Sequence, residues 1–215
     1  MPLIKSIPVE QGMLSVWQIA EPVDELLSLC NPHDQSDQVY QRFTFDKRKT
    51  EWLATRALLK QMIGPGFEIS YTPSGKPLVH HPVYKHISIS HSRDFVVVYI
   101  HRDHAVGIDV ESMNRNYATI TKKYLSESEL GDVKENILHQ CLYWCAKEAI
   151  FKLVEDEGID FRKQIEVTAF DPLKTYMTAK YISEDEETVF RLHYDIFHEH
   201  CMVWACNTPL GSINL

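Results

Sequence analysis

Two long segments of the sequence carry apolar residues at helical spacing, and each is followed by short apolar runs that are typical of strands. The first segment, residues 47–63 behind a possible cap at Asp46, stops at a Gly-Pro-Gly turn, and the second, residues 136–155, stops near Gly158. Side chains three and four positions apart share one face of a helix. Both segments therefore predict a helix with one apolar stripe, which in the second consists of Leu138, Leu142, Cys145, Ala149 and Leu153.

The short apolar runs predict antiparallel strands, because tight polar turns separate them. The runs at residues 95–100 and 105–111 are joined by only residues 101–104, which predicts a hairpin between them. The other predicted strands are residues 68–71, 86–90, 165–171, 175–182, 190–196 and 200–207.

Helices precede strands in each half of the chain, which predicts an α+β protein with two similar halves. Each half is expected to pack helices on a small antiparallel sheet, with a pseudo-two-fold relation between them. The predicted domains are residues 1–103 and 104–215.

Composition excludes several classes of protein. Hydrophobic residues make up 44% of the 215 residues, which suffices for a core, and the formal net charge is −8. Nucleic-acid backbones bind mainly to accumulated Lys and Arg, so the acidic balance argues against non-specific nucleic-acid binding. The five cysteines include no C-x-x-C pair, which favours reduced thiols. Without a signal peptide or a long apolar run, the chain is expected to be cytoplasmic and not to bind a membrane.

Residues 106–111, V-G-I-D-V-E, place two carboxylates on one face of a predicted strand. Side chains alternate along a strand, so Asp109 and Glu111 project to the same side as Gly107. A glycine there is expected to leave room for a ligand to approach the backbone. Two adjacent carboxylates fit a hard cation such as Mg²⁺, which binds oxygen ligands. The same pattern also fits an edge strand with a solvated acidic face.

Residues 144–152, W-C-A-K-E-A-I-F-K, lie within the second predicted helix. Trp144, Glu148 and Lys152 are four residues apart and line one side of it. Glu148 could supply a third oxygen ligand and Lys152 a positive charge for a phosphate. A carboxylate one turn before a lysine is equally common on ordinary exposed helices.

These two stretches resemble the signature pair of the 4′-phosphopantetheinyl transferases. Three further pieces stand in the order that the family shows. They are the segment R-F-x-x-D-K-R with the helix L-A-T-R-A-L-L-K (residues 42–60), the turn S-G-K-P (74–77) and the element I-S-I-S-H-S (87–92). The usual Asn is replaced by Ser88, and the more frequent Ile by Val110. The resemblance covers residues 40–152 and implies the double-length type that activates surfactin synthetase.

The resemblance implies a role for each matching residue. Asp109, Glu111 and Glu148 would hold Mg²⁺, with Mn²⁺ as an alternative, and Lys152 would contact the coenzyme A pyrophosphate. The residues implied to surround the nucleotide are Lys47, Lys76, Ser90 and His91, with Arg56 as a further contact. Glu129 matches a carboxylate proposed as a base, but it also fits the N3 position of a capping box that begins at Ser126.

The activity implied by the resemblance is transfer of phosphopantetheine from coenzyme A to a serine of an apo acyl or peptidyl carrier protein. Glu148 or Glu129 would accept the serine proton. A carrier is expected to dock near Lys122 and Lys123, and the chain is expected to act as a monomer.

Three other interpretations remain open from the sequence. The carboxylates could serve another magnesium-dependent nucleotide phosphotransferase or pyrophosphatase, or the chain could bind coenzyme A or a carrier without chemistry. His198 and His200 lie on one face of a predicted strand and His193 is near in sequence, which would fit a zinc site if further ligands joined them.

Overall fold

The computed structural model describes residues 3–154, 156, 158–171, 173–184 and 186–208, with the side chains of residues 35 and 36 left aside. The chain forms two compact units, Met1–Asp103 and His104–Leu215.

The N-terminal unit begins with a β-hairpin and continues into three helices. The hairpin strands are β1 (Leu3–Val9) and β2 (Gly12–Gln18), and the helices are α1 (Val23–Leu29), α2 (Gln38–Gln41) and α3 (Asp46–Ile63). A 3₁₀ helix, Pro32–Ser36, lies between α1 and α2. Four strands complete the unit: β3 (Glu68–Tyr71), β4 (Pro77–His80), β5 (His86–Ser92) and β6 (Phe95–His101).

The main sheet of this unit has the strand order β1-β2-β6-β5, and every neighbouring pair is antiparallel. Helix α3 packs on β2 and β6, and its buried Leu53 and Leu58 join the core of the unit. Strands β3 and β4 form a separate hairpin, whose turn contains Gly75 at φ 86°, a conformation that favours glycine.

The C-terminal unit places one strand before its helices and four strands after them. Strand β7 (Val106–Ser112) is followed by the 3₁₀ helix Tyr117–Thr119 and by α4 (Thr121–Tyr124), α5 (Glu127–Val133) and α6 (Ile137–Leu153). The later strands are β8 (Ile165–Val167), β9 (Tyr176–Ile182), β10 (Glu187–Phe197) and β11 (His200–Cys206).

The sheet of the C-terminal unit has the order β7-β11-β10-β9-β8 and is antiparallel throughout. Helix α6 packs across β7 and β11. The buried stripe residues Leu142, Cys145 and Ala149 belong to the resulting core. The two units share this plan: the strand before the helices pairs with the last strand, and the long helix lies on that pair.

The structure confirms the α+β class with antiparallel sheets. Two details of the predicted order are wrong. Strands precede the helices in the N-terminal unit, since the chain begins with the β1–β2 hairpin, which the sequence did not predict. The predicted hairpin across residues 101–104 does not form, because β6 pairs with β2 and β5 whereas β7 pairs with β11.

The ends of α6 also differ from the prediction. Asn136 caps the helix through its side chain, and the last helical residue is Leu153. The predicted end at Glu155 lies outside the described residues. None of the helices described is long and apolar enough to cross a membrane.

Candidate active site

Strand β7 and helix α6 bring together the residues that the sequence singled out in this unit. The face of β7 that carries Gly107, Asp109 and Glu111 is the face on which α6 lies. Strand β11 fixes the register, with Asp109 opposite Val203 and Glu111 opposite Cys201. The carboxylates on this face of β7 therefore meet the Trp144 and Lys152 side chains of α6 on one surface.

Gly107 allows α6 to approach the strand closely. A Cβ atom at this position would lie 1.9 Å from the carbonyl oxygen of Ala149 and 2.9 Å from Cβ of Leu153. The expectation that Gly107 leaves space for a ligand is therefore wrong, because the helix backbone fills that space. The glycine instead sets the distance between the helix and the two carboxylates.

Asp109 forms an ion pair with Lys152, which lies on α6. Lys152 Nζ donates to Asp109 Oδ1 at 2.7 Å and to the carbonyl oxygen of Ile108 at 3.1 Å. Asp109 is buried, with 4% of its surface exposed, while the Lys152 side chain keeps 26% exposure. Lys152 thus neutralises a buried carboxylate and still reaches the surface.

Glu111 accepts hydrogen bonds from two elements through one oxygen. Arg115 Nη1 donates to Glu111 Oε1 at 2.6 Å, and Trp144 Nε1 donates to the same oxygen at 3.2 Å. Burial raises the pKa of Glu111 and the charge of Asp109 raises it further, whereas Arg115 and the Trp144 bond oppose that shift. The Trp144 side chain of α6 is therefore hydrogen-bonded directly to a carboxylate of β7.

Glu148 lies on α6 one turn from Trp144 and one turn from Lys152, which contact Glu111 and Asp109 respectively. Burial, followed by the charge of Asp109, raises the pKa of Glu148 to about 7. The charge of Glu111 acts in the same direction, and Lys152 acts against it. The three carboxylates are thus close enough to repel one another.

The described residues contain no group of three or more His, Cys, Asp or Glu side chains placed to hold a metal ion. The predicted three-carboxylate metal site is therefore not preformed, since Lys152 and Arg115 engage two of its members. The donor chemistry nevertheless fits a hard cation, because every candidate ligand is a carboxylate oxygen. Burial and then repulsion between the carboxylates raise the pKa values of Glu111 and Glu148. A bound cation would relieve that repulsion. The zinc alternative gains no support either, because no such group among the described residues includes His193, His198 or His200.

Glu129 occupies a buried structural position, which favours the capping-box interpretation over the role of a base. Its side chain is 1% exposed. One carboxylate oxygen accepts from Lys147 Nζ and from the Ser126 backbone N–H, both at 2.7 Å. The other accepts from the Val167 N–H at 2.8 Å. The capping-box interpretation is confirmed, and these contacts use both oxygens.

The N-terminal unit contains a cavity of about 430 Å³ that is lined by two of the predicted nucleotide residues, Arg56 and His91. Arg56 is 2% exposed. Its guanidinium carbon lies 3.1 Å from the Trp52 ring centroid, and its Nε lies 3.5 Å from Asp34 Oδ1. The sequence missed Arg48, which also lines this cavity.

The other predicted nucleotide residues lie at different places in the unit. Lys76 follows Gly75, which lines the cavity, and buried Ser90 precedes His91. Lys47 instead lines a second cavity of about 400 Å³ together with Arg93. The Lys47 ammonium lies 3.8 Å from a carboxylate oxygen of Glu51.

Three residues that the sequence did not single out as site components contact the site or support it. Arg115 stands four residues after Glu111, so opposite charge at that spacing was the available signal. Lys147 lies inside the matched helix motif, but nothing in the local pattern showed that its side chain would be buried. Arg48 and its neighbour Lys47 line different cavities, which the local sequence does not show.

Comparison with known proteins matches the segment that carries these carboxylates in the C-terminal unit. Residues 105–206 match the family model described as the 4′-phosphopantetheinyl transferase superfamily. Over 112 residues the chain is 29% identical to the 4′-phosphopantetheinyl transferase AcpT of Salmonella typhimurium and 30% identical to that of Escherichia coli. The alignments cover 49% of this chain and 58% and 57% of the two relatives, so the chain spans under two thirds of their length. Residues 105–206 of this chain are therefore similar to the 4′-phosphopantetheinyl transferase superfamily.

Proposed function

We propose that this chain transfers 4′-phosphopantetheine from coenzyme A to a serine of an apo acyl or peptidyl carrier protein, releasing adenosine 3′,5′-bisphosphate. The packing of α6 on β7 carries the proposal, because it gathers Asp109, Glu111, Glu148 and Lys152 on one surface. All four lie within the stretch that matches the family model. The double-length type with two similar halves is part of the same proposal.

The N-terminal unit is proposed to supply the nucleotide contacts. Its cavity of about 430 Å³ lies in the range typical of small-ligand pockets. Arg48, Arg56 and His91 line it beside aromatic Trp52 and Tyr71. Cationic groups fit phosphates and aromatic rings fit a base, so a nucleotide has suitable partners in a chain of net charge −8. Lys47, Lys76 and Ser90 are proposed to complete these contacts.

Asp109, Glu111 and Glu148 are proposed to hold Mg²⁺ or Mn²⁺ when it is present. The bound ion would neutralise charge on the diphosphate and on the leaving oxygen. Lys152, whose ammonium is partly exposed beside Asp109, would supply a positive charge to a substrate phosphate.

The transfer forms one P–O bond and breaks another. The carrier serine oxygen attacks the phosphorus that bears pantetheine, and the bond from that phosphorus to the 5′-phosphate of adenosine bisphosphate breaks. Glu148 is proposed to accept the serine proton, directly or through a water, because it lies on the same surface as the other two carboxylates and Lys152. Positioning and charge neutralisation provide most of the remaining rate enhancement.

The deciding experiment incubates the purified chain with coenzyme A, Mg²⁺ and a panel of apo carrier proteins. Intact mass should show one phosphopantetheine added to a carrier, with one adenosine bisphosphate released per transfer. Nucleotide turnover without any carrier would favour a phosphotransferase or pyrophosphatase instead. Coenzyme A binding without release of adenosine bisphosphate would identify a binding module.

Carrier docking is proposed to involve the exposed Lys122 and Lys123, both on α4. Reversing both charges should raise the carrier KM while leaving the coenzyme A KM unchanged. An unchanged carrier KM would remove α4 from the docking surface. The chain is further proposed to act as a monomer, which sedimentation of the active protein would test.

A further inference from the structure

Arg115 follows β7 in the turn that leads to the 3₁₀ helix Tyr117–Thr119. Its backbone N–H donates to the carbonyl oxygen of Ser112 at 3.2 Å, which holds the turn against the end of the strand. Its guanidinium carbon lies 5.0 Å from the Trp144 ring centroid and 5.8 Å from that of Tyr117. Two aromatic faces therefore support this cation beside the carboxylates.

The charge of Arg115 acts on two of the three carboxylates. Arg115 Nη1 lies 2.6 Å from Glu111 Oε1, and its charge also opposes the upward pKa shift of Glu148. The Arg115 side chain is 40% exposed and that of Glu111 is 21% exposed. A cation so placed neutralises the site and can also turn towards solvent.

We propose that Arg115 is a substrate-binding residue that holds Glu111 until a divalent cation takes this carboxylate, and that then donates to the diphosphate of coenzyme A. This inference rests on the proposed function. Arginine suits both positions, because its planar donors match a carboxylate and a phosphate equally well. The Trp144 ring borders the site and can support the guanidinium during the exchange.

Two opposite effects on binding follow from this role. Removing Arg115 removes the competitor for Glu111, so a divalent cation should bind more tightly. The same change removes a donor to the diphosphate, so coenzyme A should bind more weakly. A purely structural ion pair gives neither result, because an exposed pair of this kind contributes little to stability and its loss would not change the two affinities in opposite directions.

The test compares wild type with Arg115→Gln and Arg115→Lys, using the full chain without carrier. Free Mn²⁺ is measured by electron paramagnetic resonance during titration of the protein, and coenzyme A binding is then measured by calorimetry in saturating Mn²⁺. Arg115→Gln should tighten Mn²⁺ binding about five-fold, as expected for loss of one surface ion pair. It should weaken coenzyme A binding about ten-fold or more, as expected for loss of one charge-assisted hydrogen bond. Arg115→Lys should lie between Arg115→Gln and wild type in both.

Lys163→Gln is the matched control, since Lys163 is exposed in the same unit and pairs with Asp160. It makes the same change in net charge and should leave both affinities unchanged. Equal affinities in Arg115→Gln and wild type would overturn the inference, as would weaker binding of both ligands in a folded variant. If wild type still modifies a carrier in that event, the proposed function stands and only the role of Arg115 fails.

Discussion

Charge balance at the β7–α6 surface is decided by five side chains. Asp109, Glu111 and Glu148 bring three carboxylates together, and Lys152 and Arg115 supply two positive charges. Full ionisation leaves one uncompensated negative charge. Burial and, after it, the charge of Asp109 raise the pKa of Glu148 to about 7, whereas Asp109 and Glu111 each have an ion-pair partner.

Glu148→Gln should stabilise the fold at alkaline pH. The pKa of Glu148 is raised from 4.5 to about 7 in the folded protein, so the fold favours the protonated form. Wild type therefore loses stability as pH rises from about 4.5 through about 7, because the unfolded chain releases this proton first. Each pKa unit corresponds to about 1.4 kcal/mol, so the variant should be more stable by up to about 3 kcal/mol at pH 8.

Urea unfolding with a chelator present at pH 5 and pH 8 measures this difference. The advantage of Glu148→Gln should be small at pH 5 and large at pH 8. An equal advantage at both pH values would show that ionisation of Glu148 is not its cause.

Asp109→Ala should abolish phosphopantetheine transfer, with a rate loss on the order of 10²-fold or more. The substitution removes a proposed cation ligand and the partner that positions Lys152. Transfer is read from the mass of the carrier, and circular dichroism checks that the variant is folded. Asp171→Ala, an exposed carboxylate in the same unit, serves as the control. Near-normal transfer by a folded Asp109→Ala would remove Asp109 from the site.

Helix α6 is held in place by contacts that lie outside the carboxylate cluster. The Lys147 side chain has no exposed surface, and its Nζ donates to Glu129, to the Phe161 carbonyl oxygen at 2.7 Å and to the Ile165 carbonyl oxygen at 2.6 Å. All three N–H groups of the ammonium are thereby satisfied. This network links α5, α6 and β8 directly beside Glu148.

Lys147→Met should destabilise the fold by about 3–5 kcal/mol, because it leaves the buried carboxylate of Glu129 without its cation. The double variant Lys147→Met with Glu129→Gln should lose less unfolding free energy than the two single variants lose in sum, since both charges of the pair are removed together. Urea unfolding measures each variant. Lys163→Met, at an exposed lysine, should change stability by no more than about 0.5 kcal/mol. Additive losses would show that Lys147 and Glu129 are not coupled.

Gly107→Ala should displace α6 from β7. The new methyl group would overlap the Ala149 carbonyl oxygen, a backbone atom that cannot move without the helix. We expect the free energy of unfolding to fall by about 1–3 kcal/mol. Phosphopantetheine transfer should also be reduced, although every carboxylate is retained. Gly131→Ala in α5 is the control, because no atom lies within 4 Å of its added Cβ. Unchanged transfer by Gly107→Ala would show that the close approach is not required.

Across the whole molecule, each unit has its own core and its own proposed task. The core of the N-terminal unit lies between α3 and its sheet, and that of the C-terminal unit between α6 and its sheet. The predicted nucleotide residues all belong to Met1–Asp103 and the predicted carboxylates to His104–Leu215. Changes in the N-terminal unit are therefore expected to affect contacts to the nucleotide, and changes in the C-terminal unit to affect binding of the cation and the diphosphate and the chemical step.

Lys76→Ala should raise the KM for coenzyme A more than the KM for 3′-dephospho-coenzyme A. Lys76 lies in the β3–β4 turn beside the cavity residue Gly75 and is proposed to contact the 3′-phosphate. Steady-state kinetics with both substrates measure the difference. Lys85→Ala, an exposed lysine of the same unit, should alter neither value. Equal effects of Lys76→Ala on both substrates would argue against a 3′-phosphate contact.

Local pattern was sufficient to place the elements that build the site. The period of two put Asp109 and Glu111 on one face of β7, and the period of 3.6 put Trp144, Glu148 and Lys152 on one side of α6. These relations depend only on residues a few positions apart. The sequence therefore determined which side chains could act together within each element.

Tertiary structure alone decided how those elements meet. Strand β7 pairs with β11, whose paired residues lie 88 to 100 positions later in the chain, instead of with its neighbour β6. Gly107 allows α6 to lie close to β7. Lys147 forms a buried ion pair with Glu129, and Arg115 forms an ion pair with Glu111. Strand pairing and burial are selected by the packing of the entire unit, because a register is favoured only when it buries the apolar faces of distant segments together. No short window of sequence contains that information.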